Sequence, residues 1–358
     1  GRQPSSQELG GMNIYLSASY FMGRILPAKL GKGKSVAPRS VEFSPTESFE
    51  GDVILVLGES LSANHLSIFG YGRPTTPLLE ALKGEESLYF HRGISSGVST
   101  DISIAFLMNA TYGLGGGPVV YKSSQCLFKL AKDSGFKTAF YSSQSGQQLR
   151  YISSSICPKY IDDFKSLDDI APEIEDPNAA DDLKLLDHFS SADQKRFMIL
   201  HQRGSHSPYN LRYQSPTFEV SESPSQARID HYDNSVVEFD RFMDRLIKRI
   251  KESDRPALVV YVSDHGEGLG EEGAWGHGKL VAPSYDIPIL VYAHKTQYRP
   301  FSGLPTHFNV SLLLAEYLGH KSEMDYSETM SDYVILGNDI DGFAGRLKIK
   351  LNGGTIGA

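Results

Sequence analysis

The chain has 358 residues and a formal net charge of −8, from 35 Lys and Arg residues against 43 Asp and Glu residues. Its 40% hydrophobic and 22% charged residues are typical of a globular protein, and they exclude a disordered or collagen-like chain. Nucleic acid is not expected as a partner, because binding it requires a basic stripe and the Lys and Arg residues are scattered. The sequence contains no apolar run of about 18 residues, the length needed to span a membrane.

Residues 1–50 are predicted to form a linker or an irregular segment, because they are rich in Gly, Ser, Pro and Lys. Residues 51–358 are predicted to form one domain. Apolar runs typical of buried strands lie at 52–57, 137–141, 197–200, 257–262 and 287–292. Helical patterns lie between them, at 76–82, 123–133, 180–189 and 226–251. This alternation predicts an α/β fold, with a mainly parallel central sheet flanked by helices on both faces.

Polar residues follow three of the predicted strands. Glu59 follows the first strand, the segment 201–206 follows the third, and Asp264 and His265 follow the fourth. Because ligands bind beyond the carboxyl ends of parallel strands, we expect these side chains to lie close together. Each residue alone would suit a helix cap or a solvated loop, but three strand-end carboxylate and imidazole groups favour a zinc or manganese site.

A loop of small residues, 93–99, leads into an apolar helical pattern. Ser99 or Thr100 would lie at its N-terminus, where free backbone N–H groups stabilise an anion. Beside a metal such a hydroxyl is nucleophilic, although on local sequence alone an N-cap is the better interpretation. His206, in a turn-like loop, and His277, between two glycines, could bind a phosphoryl oxygen, ligate a second metal or act as general acid.

A serine esterase is the competing interpretation. The segment 93–97 matches the G-x-S-x-G nucleophile elbow, and Asp264 and His277 would complete a triad with Ser95. The elbow requires a helix directly after the serine, but the helical pattern begins only at about residue 99. The triad also leaves the other strand-end residues without a role. The esterase is therefore the weaker hypothesis.

Cys126 and Cys157 show neither CxxC nor zinc-finger spacing. The pair could form a disulfide in an oxidising compartment or remain two buried thiols, and the sequence leaves both open. The last residues, from Met324, are rich in Gly and Asp and allow no firm assignment.

Several segments occur in a recognisable order between residues 52 and 292. They are 56–77, the Ser99-Thr100 loop, 201–208, 232–235 and 261–270, followed by 276–278. Together they resemble the catalytic domain of bacterial phosphoethanolamine transferases, members of the alkaline phosphatase/sulfatase superfamily. The resemblance implies an alkaline-phosphatase/sulfatase-like fold and a catalytic domain over residues 51–358. The Cys/Ser-x-Pro-x-Arg run that sulfatases need for formylglycine formation is absent.

The resemblance also implies one tightly bound zinc ion and leaves room for a second. The implied zinc ligands are Glu59, Thr100, Asp264 and His265. Thr100 would also be the nucleophile, and His206 and His277 would assist the phosphoryl group or hold a second zinc. Ser145 and Gln148 would contact the substrate. Some relatives carry Lys where this chain has Gln148, which leaves the identity of the acceptor open.

The implied reaction is a ping-pong transfer. Thr100 would attack the phosphate of phosphatidylethanolamine, diacylglycerol would leave, and phosphoethanolamine would pass to a lipid or glycan acceptor such as lipid A. The chain starts at Gly1 and lacks the family's membrane-spanning N-terminal half, so it is expected to be a monomeric, soluble fragment of an enzyme at the periplasmic face of the bacterial inner membrane. A phosphoglycerol transferase or phosphodiesterase of the same superfamily, or a metal-binding sensor without turnover, remains an alternative.

Overall fold

The computed structural model describes residues 41–189, 193–343, 345–352 and 355–357. Residues 1–40 of the predicted linker lie outside the described residues. The strands, in chain order, are β1 (Phe43–Pro45), β2 (Asp52–Gly58), β3 (Leu88–Ile94), β4 (Lys137–Ser142), β5 (Asp163–Lys165), β6 (Arg196–His201), β7 (Ala257–Ser263), β8 (Gly268–Leu269), β9 (Trp275–Gly276), β10 (Asp286–His294), β11 (His320–Ser322), β12 (Asp332–Leu336), β13 (Arg346–Asn352) and β14 (Thr355–Gly357).

Most of the helices lie between strands of the central sheet. In chain order they are α1 (Pro77–Ala81), α2 (Thr100–Met108), α3 (Gly117–Lys122), α4 (Leu127–Asp133), α5 (Leu167–Ile170), α6 (Pro224–Lys251), α7 (Ala282–Tyr285) and α8 (His307–Tyr317). Short 3₁₀ turns join several of them. No helix among the described residues is both long and apolar enough to cross a membrane.

A seven-stranded sheet with the order β3-β10-β7-β2-β6-β4-β5 forms the centre of the domain. Strand β10 runs antiparallel to both its neighbours, and the other pairs of adjacent strands are parallel. The predicted mainly parallel sheet is therefore confirmed. Gly58 at the end of β2 lies opposite Ser263 at the end of β7, and Leu57 lies opposite His201 at the end of β6. The residues that follow these three strands therefore begin side by side.

Both faces of the sheet are buried, because alternate residues of β2 belong to different apolar cores. Val53, Leu55 and Leu57 pack in the core that includes α2, α4 and α8. Ile54 and Val56 pack in the core that includes α6. Since successive side chains of a strand point to opposite faces, this division places helices on both sides of the sheet, as predicted.

Two of the predicted helices differ from the structure. The pattern at 123–133 begins later, at α4, because Ser123 adopts a left-handed conformation (φ 51°) that ends α3. The pattern at 180–189 forms a 3₁₀ helix, Asp182–His188, which buries only two of its side chains, Leu185 and Leu186. Most of the stability of an α-helix in a protein comes from packing of its apolar face. With only two buried side chains, this segment keeps the tighter 3₁₀ geometry.

The cysteine pair and the C-terminal residues, which the sequence left unassigned, both have a defined structure. Cys126 and Cys157 form a disulfide. Strands β12, β13 and β14 form a separate antiparallel sheet from the C-terminal residues. Strand β1 pairs with β11, so the described part of the predicted linker contacts the domain.

Candidate active site

Three side chains meet beyond the carboxyl ends of β2 and β7. Glu59 follows β2, and Asp264 and His265 follow β7; all three are at most 2% exposed. Nε2 of His265 lies 3.3 Å from Oδ2 of Asp264 and 3.5 Å from Oε1 of Glu59. The expectation that strand-end residues converge is therefore met for these three. Their ligand atoms all lie within 4.8 Å of one another, a spacing that a single ion can span.

Hydrogen bonds orient the ligand atoms of Asp264 and His265. Oδ1 of Asp264 accepts the backbone N–H groups of Ser60 (2.9 Å) and His265 (2.7 Å), which directs Oδ2 toward the other two side chains. Nδ1 of His265 lies 2.9 Å from the carbonyl oxygen of Gly266. A carbonyl only accepts, so Nδ1 carries the proton and the neutral ring presents the lone pair of Nε2 to the site.

Thr100 lies directly above this group, as the first residue of α2. Its Oγ1 is 3.3 Å from both carboxylate oxygens of Glu59 and 3.3 Å from Nε2 of His265. Ser99 occupies the N-cap position in extended conformation, although its side chain caps no backbone N–H group. The hydroxyl at the helix N-terminus is thus within reach of the strand-end residues.

The charges of the two buried carboxyl groups conflict. Burial would raise the pKa of Glu59, but His206, His265 and Arg203 lower it to about 2. Burial and the charge of Glu59 raise the pKa of Asp264 well above its usual range. Oδ2 of Asp264 makes no hydrogen bond of normal geometry with the described residues. A divalent cation would remove the conflict and satisfy this oxygen, and the set of carboxylate, hydroxyl and neutral imidazole groups fits zinc.

His277 lies next to this group on the β8–β9 hairpin side. Its ring centroid is 4.3 Å from that of His265, and its Nδ1 is 2.8 Å from Oε2 of Glu267. Burial opposes the charged form, but the hydrogen bond to Glu267 and the carboxylate charges raise the pKa of His277 to about 9. Glu267 also accepts a hydrogen bond from Tyr209. His277 is therefore held as a proton donor at neutral pH.

The ring of His206 lies near that of His277, with centroids 6.0 Å apart. Burial is the main cause that lowers its pKa, so the ring is neutral at pH 7. The second group able to hold an ion consists of His265, Glu267 and His277, and does not include His206. His206 and His277, which the sequence predicts to act at one site, thus lie near the candidate metal ligands.

A cavity of about 630 Å³ opens above these residues. Its lining includes Glu59, Thr100, Gln148, His206 and His277, in agreement with their predicted proximity. The predicted substrate residue Ser145 is not part of the lining; its N–H and hydroxyl donate to Oε1 of Gln148 and fix that side chain. The sequence interpretation missed Asp101, Gln144, Tyr151, Arg203 and Asn338, which also line the cavity.

Sequence reasoning also missed Glu267, although this residue lies in the segment 261–270, which contributes to the family resemblance. The residue is 1% exposed, so its carboxylate must be paired in the folded protein. A Glu within a loop of glycines gives no periodic signal, and only the partner His277, ten residues further on, shows its role.

The esterase interpretation does not agree with the structure. Ser95 follows β3 directly, but α2 begins only at Thr100. The hydroxyl of Ser95 is buried and donates to the carbonyl of Gly97 at 2.6 Å, and Ser95 does not line the cavity. A nucleophile must reach the substrate, so this serine cannot serve as one.

The segments 56–77 and 232–235 owe their pattern to a buried polar cluster. The Tyr232 hydroxyl donates to the Ser60 carbonyl (2.7 Å) and accepts from the Ser62 N–H (2.8 Å). Asp233 accepts from His65 and Tyr71 and forms an ion pair with Arg73. Helix α6 therefore fixes the chain that leaves Glu59, which positions that carboxylate.

Comparison with known proteins agrees with this geometry. The chain matches the Sulfatase family model over residues 51–326. Phosphoethanolamine transferase EptA of Helicobacter pylori is 30% identical over 270 residues, which cover 71% of this chain and 49% of that protein. Kdo(2)-lipid A phosphoethanolamine 7''-transferase of Escherichia coli K12 is 29% identical over 257 residues, 67% of this chain and 44% of that protein. The chain spans about half the length of the curated relatives it matches.

Solved structures confirm the fold class. The C-terminal periplasmic domain of EcEptC from Escherichia coli matches with a TM-score of 0.70 and 20% identity, covering 85% of this chain and 94% of that chain. Its complex with Zn gives a TM-score of 0.67 at 19% identity, with the same coverage. At this identity the likeness establishes the fold. With the family model covering most of its length, the chain belongs to the sulfatase family and has phosphoethanolamine transferases among its relatives.

Proposed function

We propose that the chain is the catalytic part of a zinc-dependent transferase that moves phosphoethanolamine from phosphatidylethanolamine to a cell-envelope acceptor through a phosphorylated Thr100. The observation that carries the proposal is the position of the Thr100 hydroxyl, 3.3 Å from Glu59 and from Nε2 of His265 at the base of an open cavity. Ser99 occupies the N-cap position, so helix capping does not account for the placement of Thr100.

Zinc would be held by Glu59, Thr100, Asp264 and His265. When bound, zinc lowers the pKa of the hydroxyl and neutralises charge on the transferring group. His265 is prepared for this role because Nδ1 donates to the Gly266 carbonyl, and such a second hydrogen bond fixes the ring of a ligating histidine.

In the first half-reaction Oγ1 of Thr100 forms a bond to phosphorus as the bond from phosphorus to the diacylglycerol oxygen breaks. Glu59, within 3.3 Å, stays ionised and would hold the metal beside the hydroxyl, whose proton passes to solvent in the open cavity. The departing alkoxide takes a proton from His277, which Glu267 keeps charged. Phosphoethanolamine remains on Thr100, and diacylglycerol leaves.

The second half-reaction is the reverse chemistry with a different alcohol or phosphate. The neutral His277 left by the first step accepts the proton of an acceptor hydroxyl, whose oxygen attacks phosphorus as the bond to Oγ1 of Thr100 breaks. Thr100 recovers a proton from solvent. An acceptor phosphate that is already ionised needs no base. Nδ1 of His206 donates to the carbonyl oxygen of Ser207, so the neutral ring presents the lone pair of Nε2 at the cavity wall, the form that would ligate a second zinc ion.

The names of relatives guide the choice of donor and location. They include enzymes named for transfer of phosphoethanolamine to Kdo(2)-lipid A and an integral membrane lipooligosaccharide phosphoethanolamine transferase from Neisseria meningitidis. We extend this to a lipid A or glycan acceptor and to the periplasmic face of the inner membrane, with membrane anchoring in residues beyond this chain. The Cys126–Cys157 disulfide supports an oxidising compartment.

The test is to trap the covalent adduct. Zinc-loaded protein is mixed with 4-nitrophenyl phosphoethanolamine and quenched within one turnover, and the intact protein and its peptides are analysed by mass spectrometry. We expect phosphoethanolamine on Thr100, none in Thr100→Ala, and a serine-linked adduct in Thr100→Ser. Turnover by Thr100→Ala at the wild-type rate, or an adduct at another residue, would overturn the proposal.

The donor is tested separately with vesicles. Release of diacylglycerol is measured from vesicles of phosphatidylethanolamine and from vesicles of phosphatidylglycerol, each with lipid A present. We expect release from phosphatidylethanolamine. Preference for phosphatidylglycerol would instead identify a phosphoglycerol transferase, and zinc binding without turnover of any donor would identify a sensor domain.

A further inference from the structure

Asp101 is a carboxylate beside the nucleophile that the proposed mechanism does not use. It follows Thr100 in the first turn of α2, is half-buried and lines the same cavity. Its Oδ1 accepts a hydrogen bond from the Ser99 hydroxyl at 2.7 Å. Asp101 belongs to neither of the groups of described residues that could hold a metal. Asp101 therefore adds a negative charge to the cavity lining that a metal ion would not neutralise by direct ligation.

This position is electrostatically unfavourable for an ordinary phosphodiester. The group that Thr100 attacks is an anion, and a carboxylate one residue away repels it. A carboxylate in the first turn of a helix is favoured by the helix dipole, but that benefit is small and is available to any acidic residue in the turn, whether or not it faces a substrate. The repulsion becomes attraction only if the substrate also carries a positive charge close to its phosphorus.

Side chains of both charges line the rest of the cavity. Arg203 and His277 line the cavity together with Glu59 and Thr100, so its positive groups share the cavity with the hydroxyl that would attack phosphorus. Asp101 is the one other carboxylate in the described lining. The ring of Tyr151, 67% exposed, lines the cavity as well. A carboxylate and an aromatic ring form a common recognition pair for an ammonium group.

We propose that Asp101 is the specificity-determining counter-ion for the ammonium group of the donor, with the Tyr151 ring as a second contact. This inference rests on the proposed function and deepens it. It assigns the cavity to zwitterionic headgroups, in which a primary ammonium lies two carbons from the phosphodiester, over headgroups with a neutral alcohol tail such as phosphoglycerol.

The test compares two ligands that differ in this charge. Binding of O-phosphoethanolamine and of ethyl phosphate to the zinc-loaded protein is measured by calorimetry. We expect the wild type to prefer O-phosphoethanolamine about tenfold, the scale of one charge-assisted hydrogen bond. Asp101→Asn should remove the preference and bind ethyl phosphate at least as well. Glu80→Gln is the matched control, since Glu80 is an exposed acid in the first turn of α1 outside the cavity.

Several outcomes would overturn the inference: equal binding of the two ligands by the wild type, an unchanged preference in Asp101→Asn, or an equal loss of affinity for both, which would show a structural role. Thermal unfolding of each variant is recorded first, and Asp101→Glu, which keeps the charge, should keep a preference. Loss of the preference in Asp101→Asn with no transfer from phosphatidylethanolamine would retain this inference and refute the proposed function. Transfer from phosphatidylethanolamine by a wild type that binds both ligands equally would retain the proposed function and refute this inference.

Discussion

The disulfide between Cys126 and Cys157 should contribute a large part of the stability of the domain. It joins the start of α4 to the segment that carries Gln148, Tyr151 and Ile152 into the cavity. Its cysteines are 31 residues apart in sequence. Closing a loop of that length in the unfolded chain lowers its entropy by an amount worth about 3.5 to 4 kcal/mol at 25 °C. The double variant Cys126→Ala/Cys157→Ala should lose this contribution.

The measurement is urea unfolding followed by circular dichroism, with and without a reductant. Wild type and double variant should differ by about 3 to 4 kcal/mol without reductant, and the reductant should remove the difference by destabilising the wild type alone. The double variant is its own control, because it has no bond to reduce. A difference below about 1 kcal/mol, or an equal effect of the reductant on both proteins, would refute the reasoning.

Other consequences concern the metal group and the polar cluster. Asp264→Asn should bind less zinc by elemental analysis while its metal-free form is at least as stable as metal-free wild type, because one buried charge conflict is removed; full zinc content would contradict this. Tyr232→Phe should cost about 1 to 3 kcal/mol in urea unfolding, since two backbone groups lose their buried partner; a neutral effect would contradict it. Burial opposes protonation of His65, but Asp233 raises its pKa above 6.5, so its stabilisation is complete below pH 6.5 and is lost as the pH rises through the raised pKa. The stability difference between wild type and His65→Gln should narrow over that range, and a constant difference would exclude this pH dependence.

Much of the central sheet could be predicted because its strands are buried on both faces. The apolar runs at 52–57 and 257–262 fall within β2 and β7, which have no exposed face to interrupt the pattern. The convergence of Glu59, Asp264 and His265 followed from the same cause, since parallel strands end at one edge. The direction of β10 was not predictable, because an apolar run has the same composition in either orientation.

Other parts of the site depend on long-range contacts that leave no local pattern. Glu267 is defined by its hydrogen bonds to Tyr209, 58 residues away in sequence, and to His277. The disulfide likewise required the distance between two loops, which residue spacing alone does not give. Asp101 had a local signal, an acid in the first turn of a helix, but that signal is the same for a helix that binds nothing.

The proposed metal ligands and the second proposed headgroup contact, Tyr151, lie on different kinds of elements. The proposed metal ligands follow central strands, and α6 fixes the chain after Glu59 through Tyr232. The opposite wall, from Gln144 to Ile152, is a loop that the disulfide and a hydrogen bond from Gly146 to Asp168 hold in place. A loop can change without moving the strands, whereas a change at a strand end disturbs the core. In the proposed transferase, substitution of Tyr151 in the loop should weaken the discrimination between headgroups while transfer persists, and substitution of Glu59, Asp264 or His265 at the strand ends should abolish transfer of every headgroup.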